Sequence, residues 1–248
     1  NLETMTETLR KVINASPDRI ALYHYAHMPH LFKPQRRILD ADMPDSATKL
    51  AMLGLCIARL TAAGYVYIGM EHFGKETDDL AVAQRQGRLH RSFQGYSTRA
   101  EADLIACGVS AISSVGAVYS QNEKTLDAYY EKLDEGVLPI ARGIKLDTDD
   151  LLRRIIIQML MCNFELSIAS IEQAHPVQFR SYFASELDKL RELARDGLLV
   201  IEEDWLTVTP KGRLLIRNIC MVFDRYLTMA RANTAPDAVQ PLRYSKTV

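Results

Sequence analysis

No apolar run in these 248 residues is long enough to cross a bilayer. Spanning takes about 18 or more apolar positions, and the best candidate, Ile155 to Cys162, is far shorter and reads as a buried helix. Charge of one sign is missing too: 30 Lys+Arg stand against 31 Asp+Glu, so at a net charge of −1 no global field draws the chain to nucleic acid or anionic lipid. Cysteine is sparse. Cys56, Cys107, Cys162 and Cys220 lie 51, 55 and 58 residues apart, which fits neither a metal knuckle nor a redox pair. Each has apolar neighbours, so the expectation is free, buried thiols in a reducing cytoplasm. No G-x-S-x-G, Walker A, G-x-G-x-x-G or H-E-x-x-H pattern occurs, so hydrolase and nucleotide-triphosphate readings lose their usual support. An initiator methionine and a signal-peptide pattern are absent, and a start in mid-helix at Asn1 reads as a piece of a longer protein.

What is present is an ordinary globular composition, 48% hydrophobic and 25% charged, in a length that suits one large or two modest domains. Up to about Leu146, helical patterns alternate with short apolar strands. Leu2, Met5, Leu9, Val12 and Ile13 recur at helical spacing before Ser16-Pro17-Asp18. Arg19 to Ala26 reads as a buried strand, Asp45 to Ala62 as a helix ended by Gly64, and Tyr65 to Met70 as a second strand. Val109 to Tyr119 offers one or two more strands, and Glu123 to Asp134 a helix. This rhythm predicts a parallel α/β sheet or barrel, but so few strands cannot close one. The first region therefore reads as the last third of something larger.

Beyond Leu146 helices dominate. Asp147-Thr148-Asp149-Asp150 caps a helix from Leu151 to Cys162, and a second helix covers Phe183 to Arg195. Leu198 to Ile201 and Trp205 to Val208 form a hairpin, and a last helix covers Arg213 to Ala232 before a loose tail. Helix, hairpin, helix is a winged-helix layout. DNA recognition is disfavoured, because from Asp147 onward 13 Lys+Arg meet 14 Asp+Glu and the hairpin tip, Glu202-Glu203-Asp204, is acidic.

Leu89 to Asn122, LHRSFQGYSTRAEADLIACGVSAISSVGAVYSQN, has little charge in its middle, several glycines and aromatics beside polar groups. That is the composition of a lined pocket. Earlier, the aromatic segment Tyr23 to His27 meets a turn at Met28-Pro29. Strand ends in α/β sheets meet ligands, so Ala26 and His27 are placed to do so. His24, His27 and His30 at three-residue spacing invite a zinc reading, against which a strand turns the first two to opposite faces and Pro29 breaks a helix.

These segments, in order, resemble one family. YHYAHMPHLFKPQR, IGMEHFG, LAVAQRQGRLHRSFQGYST, GVSAIS and YSQN are similar to the oxygen-independent coproporphyrinogen III oxidases, as are RGIKLDTDDLLRR, CNF, DGLL and TPKGRLLIRNICMVFD further on. The most specific are FQGY and KGRLLIRNICM. The resemblance implies an incomplete TIM-like barrel, whose last strands would fill 1–146, and a helical, winged-helix-like C-terminal domain over 147–248. It implies a radical S-adenosylmethionine (SAM) enzyme of haem biosynthesis with a [4Fe-4S] cluster and two SAM molecules. Such enzymes oxidatively decarboxylate two propionates of coproporphyrinogen III to give protoporphyrinogen IX. The cluster ligands, C-x3-C-x2-C, are absent from this chain, so alone it is expected to be inactive.

By position, Ile112 resembles the residue packing on the cluster-bound SAM and Ala26 the one touching the second SAM. Phe93 and Gln94 resemble catalytic pocket positions, a ring to stack and an amide to orient. Among the basic residues flanking these segments, Arg88 and Arg91 are the candidates for binding substrate propionates. The resemblance further implies a monomeric full-length cytoplasmic enzyme with no nucleic-acid or membrane partner, whereas a cut barrel is expected to self-associate. A cluster-free haem- or porphyrin-binding paralogue is the alternative. His24, Glu71, Gly74 and Ser92 stand where close relatives are expected to carry Asn, Asp, Ala and Asn.

Overall fold

Helix α1 (Leu2–Ala15) starts where the Asn1 side chain accepts from Thr4 N (2.9 Å) and ends at Ser16, whose backbone is left-handed at φ 50°. A computed structural model describes this and the rest of residues 1–100 and 102–227. Of the apolar stripe its sequence spacing predicts in α1, Leu9 is buried and Met5 and Ile13 pack against the same cluster, while Leu2 is exposed. After strand β1 (Arg19–Ala21), helix α2 (Ser46–Ala62) is capped by Asp45, whose Oδ1 accepts from Thr48 N at 2.7 Å. Its Cys56 and Leu60 join Leu9, Tyr65 and Phe73 in one core. Strands β2 (Tyr65–Gly69) and β3 (His72–Lys75) follow, and helix α3 (Asp79–Arg85) closes this unit.

Two expectations are corrected here. The sheet has order β1-β3-β2 with every pairing antiparallel, where a parallel arrangement was expected. The reason is local: Gly69 pairs with His72 across a tight turn with Met70 at φ 46° and Glu71 at φ 60°, so the chain doubles back before it can cross over. The first strand also stops at Ala21 and is not buried. Its partner β3 offers three pairing positions, and the ladder ends once Leu22 N has bonded to Glu71 O (2.9 Å). Ala26 therefore lies in a loop, where its carbonyl accepts from Gln35 Nε2 (3.1 Å).

Contacts divide the chain into two units, one built on Asn1–Gln86 and the other spanning Gly87–Arg225. The second begins with the hairpin β4 (His90–Ser92) and β5 (Gly95–Ser97), then β6 (Ile112–Val115), β7 (Val118–Asn122), helix α4 (Leu126–Asp134) and β8 (Ile140–Lys145). The last three strands make an antiparallel sheet in the order β6-β7-β8. Helix α5 (Thr148–Asn163) opens with a reciprocal cap, Asp150 N to Asp147 Oδ1 (2.8 Å) and Asp147 N to Asp150 Oδ2 (3.1 Å). Then come β9 (Glu165–Ser167), α6 (Ile168–Ala174), α7 (Phe179–Tyr182), α8 (Ala184–Arg195), the hairpin β10 (Leu199–Ile201) and β11 (Trp205–Val208), α9 (Pro210–Leu214) and α10 (Ile216–Met221). No closed barrel occurs among the described residues.

Within the second unit the β4–β5 hairpin is tied to α5. The single C-terminal helix expected over Arg213 to Ala232 is corrected in its first part: it breaks at Leu215 (φ −114°, ψ 25°), and residues 228–232 lie outside the described residues. Ile156, Leu160, Leu166, Phe179, Phe183, Leu187, Leu190, Leu206, Ile219 and Phe223 are almost wholly buried and form the apolar interior of this unit. A charged knot sits beside it. Arg153 reaches Asp149 (2.8 Å) and Glu186 (2.8 Å), while Arg225 reaches Asp149 (2.9 Å) and Asp147 (2.7 Å).

Candidate functional site

A cavity of about 970 Å³ opens in the Gly87–Arg225 unit between the β4–β5 hairpin, β6 and one face of α5. The hairpin turns on two residues, Phe93 and Gln94, since Ser92 pairs with Gly95. Gly95 sits at φ 127°, a conformation side chains disfavour, and this fits a glycine in FQGY. Phe93 is 76% exposed, so its ring stands on the rim and is not spent on packing. Gln94 Nε2 donates to the Ile112 carbonyl at 3.4 Å, a long bond that leaves the amide free to turn. Phe93, Gln94, Ile112 and Arg91 thus come together.

Arg91 is the most constrained of these. Its backbone N–H donates to Gln158 Oε1 (3.0 Å), and its carbonyl accepts from Gln158 Nε2 (2.5 Å). The guanidinium lies 4.7 Å from the Tyr96 ring centre, and Tyr96 Oη donates to the Met161 carbonyl (3.1 Å). Its Nη1 is buried without a hydrogen-bond partner, and other parts of the residue line the cavity. Arg88 does not share this position: it is exposed and does not line the cavity. Of the two arginines expected to meet substrate, one is on the wall.

Sequence reasoning missed the contribution of α5. Arg154, Ile155, Gln158 and Met159 line the cavity from one face of that helix, and Arg99 and Asp103 line it from the loop beyond β5. The available signal was the i, i+4 spacing of Arg154 and Gln158. Arg154 Nη1 makes a 3.4 Å bond to the Gly116 carbonyl, and the Gly116 N–H donates to Asp103 Oδ1 (2.8 Å).

Behind the wall, Cys162 Sγ donates to Gln158 Oε1 (3.6 Å). Burial pushes its thiol up to about 12 against the opposing charge of Arg91. Burial also pushes Cys220 up to about 12, and Cys56 upward. These three are inert thiols. Cys107 corrects the expectation of four buried cysteines: it is exposed, in the irregular segment before Gly108 (φ 101°), which packs no side chain tightly there.

In the other unit, Ala26 is half-buried beside His27, whose Nε2 lies 3.2 Å from Asp40. His24 faces Glu71 at 3.7 Å. Tyr23, His24 and Tyr25 border a smaller apolar cavity of about 270 Å³. The donors of this chain do not suit an iron–sulfur cluster: three of its four cysteines are buried free thiols, and among the described residues no group of three or more His, Cys, Asp or Glu is placed to hold a metal. No described helix is long and apolar enough to cross a membrane.

The class follows from the fold. A solved structure titled as coproporphyrinogen III oxidase (HemN) from Escherichia coli, a radical SAM enzyme, superposes with a TM-score of 0.87 at 50% identity, over 90% of this chain and 52% of that one. The HemN C-terminal domain family matches residues 146–215. The oxygen-independent coproporphyrinogen III oxidase of Salmonella typhimurium is 51% identical over 91% of this chain and 49% of its own length. That of Thermostichus vulcanus is 48% identical over 96% of this chain and 74% of its own. The chain belongs to the oxygen-independent coproporphyrinogen III oxidase family. It spans about half the length of the Salmonella and Escherichia coli relatives.

Proposed function

We propose that the chain is the C-terminal part of an enzyme that oxidatively decarboxylates two propionates of coproporphyrinogen III, and that it supplies one wall of the porphyrinogen pocket. The observation that carries this reading is Arg91: a guanidinium whose backbone is clamped by Gln158 and whose Nη1 has no partner, on a cavity large enough for a ligand of several hundred Å³. A carboxylate in the cavity takes two parallel bonds from this guanidinium once it turns outward, and Nη1 then gains the acceptor it lacks. Phe93 on the rim offers a face for a flat ring, and Gln94 an amide to orient it.

In the parent, SAM bound at a [4Fe-4S] cluster supplies the radical chemistry, and the cluster's ligands come from outside these residues. Ile112 is read as the apolar contact for that SAM and Ala26 as the contact for a second. Alone, the chain has no means of starting the reaction. The family match from residue 146 supports a division of the parent's parts into 1–146 and 147–248. The strand order β10-β11-β9 beside α8 supports a winged-helix-like reading of the latter. A covering role suits it better than DNA binding, since the exposed tip Glu202-Glu203-Asp204 is acidic, its turn held by Arg180, which donates to the carbonyls of Glu202 and Glu203 (2.8 Å each).

The test is a chimera in which this chain replaces the matching half of the Escherichia coli relative. Anaerobic conversion of coproporphyrinogen III, lost with Gln94→Ala, supports the reading. A chimera that folds and holds its cluster but makes no product overturns it.

A further inference from the structure

We propose that Arg154 on α5 is a second carboxylate-binding group of the cavity, and that it makes the cavity select a macrocycle with four carboxylates over one with two. The proposal rests on the reading of this cavity as the porphyrinogen pocket, and it adds the element that sets specificity there.

Two adjacent arginines on α5 have opposite fates. Arg153 is neutralised inside the unit by Asp149 and Glu186, both at 2.8 Å. Arg154 lines the cavity, and among the described residues no ion pair engages it. Its bond to the Gly116 carbonyl is long, at 3.4 Å, and involves a neutral acceptor, so a carboxylate would displace it with net gain. The Gly116 turn holds Arg154 by its carbonyl and Asp103 by its N–H (2.8 Å). Asp103 Oδ1 takes that backbone N–H, and among the described residues no ion pair joins Asp103 to Arg154.

Between the charged groups, α5 presents Ile155 and Met159, one turn apart on the same face. Ile155 is 38% exposed, which leaves apolar surface for a ring to cover. One face of one helix therefore supplies an apolar floor, a guanidinium at its edge (Arg154), and the amide that clamps a second guanidinium (Gln158 on Arg91). With Arg99, the described lining carries three guanidinium groups and one carboxylate, a field that favours a polyanion. A ring with four carboxylates has enough acceptors for both Arg91 and Arg154, whereas one with two has fewer to spare.

The experiment is equilibrium binding of coproporphyrin III (four carboxylates) and protoporphyrin IX (two) to the purified chain, read by the Soret band at fixed ionic strength. The expected result is tighter binding of coproporphyrin III. R154Q should bind it about tenfold more weakly while changing protoporphyrin IX binding less than about twofold, and R154K should fall between. Trp205 fluorescence melting checks that R154Q stays folded, and R154K tests the same point with the charge kept. Unchanged coproporphyrin III affinity in R154Q overturns the assignment of Arg154 while leaving the cavity reading intact. Failure of the unaltered chain to bind either porphyrin overturns the cavity reading itself, and this proposal with it.

Discussion

Gly212 allows the sharpest test of how the second unit is held together. It lies in α9, where Thr209 Oγ1 accepts its N–H at 3.0 Å and donates to the Gly197 carbonyl at 2.7 Å. Thr209 N also bonds to the Leu198 carbonyl (3.0 Å), and Lys211 Nζ to that of Asp196 (2.9 Å). The start of α9 is thus wrapped onto the turn that ends α8. A methyl on Gly212 would meet the Leu198 carbonyl carbon at 2.8 Å and Val208 Cγ1 at 2.9 Å, and the Leu198 oxygen closer still. Two of these atoms are backbone and cannot swing aside. Overpacking of this kind costs about 1–3 kcal/mol, and parting α9 from the turn forfeits one or two hydrogen bonds at about 1 kcal/mol each. Gly212→Ala should therefore destabilise the unit by about 3–4 kcal/mol, a fall of roughly 10–15 °C in its melting temperature. Trp205, the one tryptophan, lies on β11 beside this contact, so its fluorescence in urea or on heating follows the right unit. The control is Gly54→Ala, exposed within α2 of the other unit with no atom near its added methyl, which should gain about 0.5–1 kcal/mol there by far-ultraviolet circular dichroism and leave the Trp205 transition unmoved. If Gly212→Ala unfolds within about 1 kcal/mol of the parent chain, the close approach of α9 is not what fixes this unit.

Arg153→Ala should cost about 3 kcal/mol in the same fluorescence assay, because it leaves Asp149 and Glu186 charged and half-paired in a confined place. Burial raises the Asp149 carboxyl, but bonds from Tyr182 and Arg153 outweigh it; burial likewise opposes and Arg153 outweighs at Glu186, so both end below their ordinary values of 3.8 and 4.5. A depressed carboxylate stabilises above its unfolded pKa and loses that contribution as pH falls through its folded value. Urea midpoints should therefore hold steady above about pH 5 and drop below about pH 4, and Arg153→Ala should flatten that drop. Arg91→Ala should weaken coproporphyrin III binding about tenfold and Arg88→Ala by less than about twofold; equal effects would remove the distinction drawn from the cavity wall. Light scattering on the isolated chain should show mass rising with concentration, since Tyr23, Leu31, Phe32 and Leu39 are exposed on the first unit. A dilute, purely monomeric chain would refute that.

Legibility followed range. Features set by a few neighbouring residues could be read directly: the Leu9 stripe of α1, the Asp45 and Asp147 caps, and the hairpin Leu199–Ile201 with Trp205–Val208. What the chain does after two residues of left-handed backbone could not. Met70 and Glu71 take φ 46° and 60° without the Asn or Gly that normally marks such a turn, so β3 was invisible and the sheet was read as parallel. The short strands β4, β5 and β9 fail for a different reason: three residues carry no usable alternation. The site divides the same way. FQGY and GVSAIS announced a pocket because glycines and exposed aromatics are poor core material. The third wall came from α5, whose Arg154 and Gln158 look like ordinary solvent-facing polar residues until the hairpin, 67 residues earlier in sequence at Arg91, is laid against them.

That 67-residue separation is also an argument about how the pocket works. Gln158 satisfies both backbone groups of Arg91, so the position of one candidate substrate contact is set by a helix that also lays Arg153 over the buried Phe183 ring. On the proposed reading, substrate affinity and the stability of the helical layers are coupled through α5: a substitution that lets α5 shift should loosen Arg91 without touching it. Phe93 and Gln94 stand on a two-residue loop with long hydrogen bonds, and the strand beneath them is held at Arg91, so Gln158→Ala should weaken porphyrin binding through the whole hairpin.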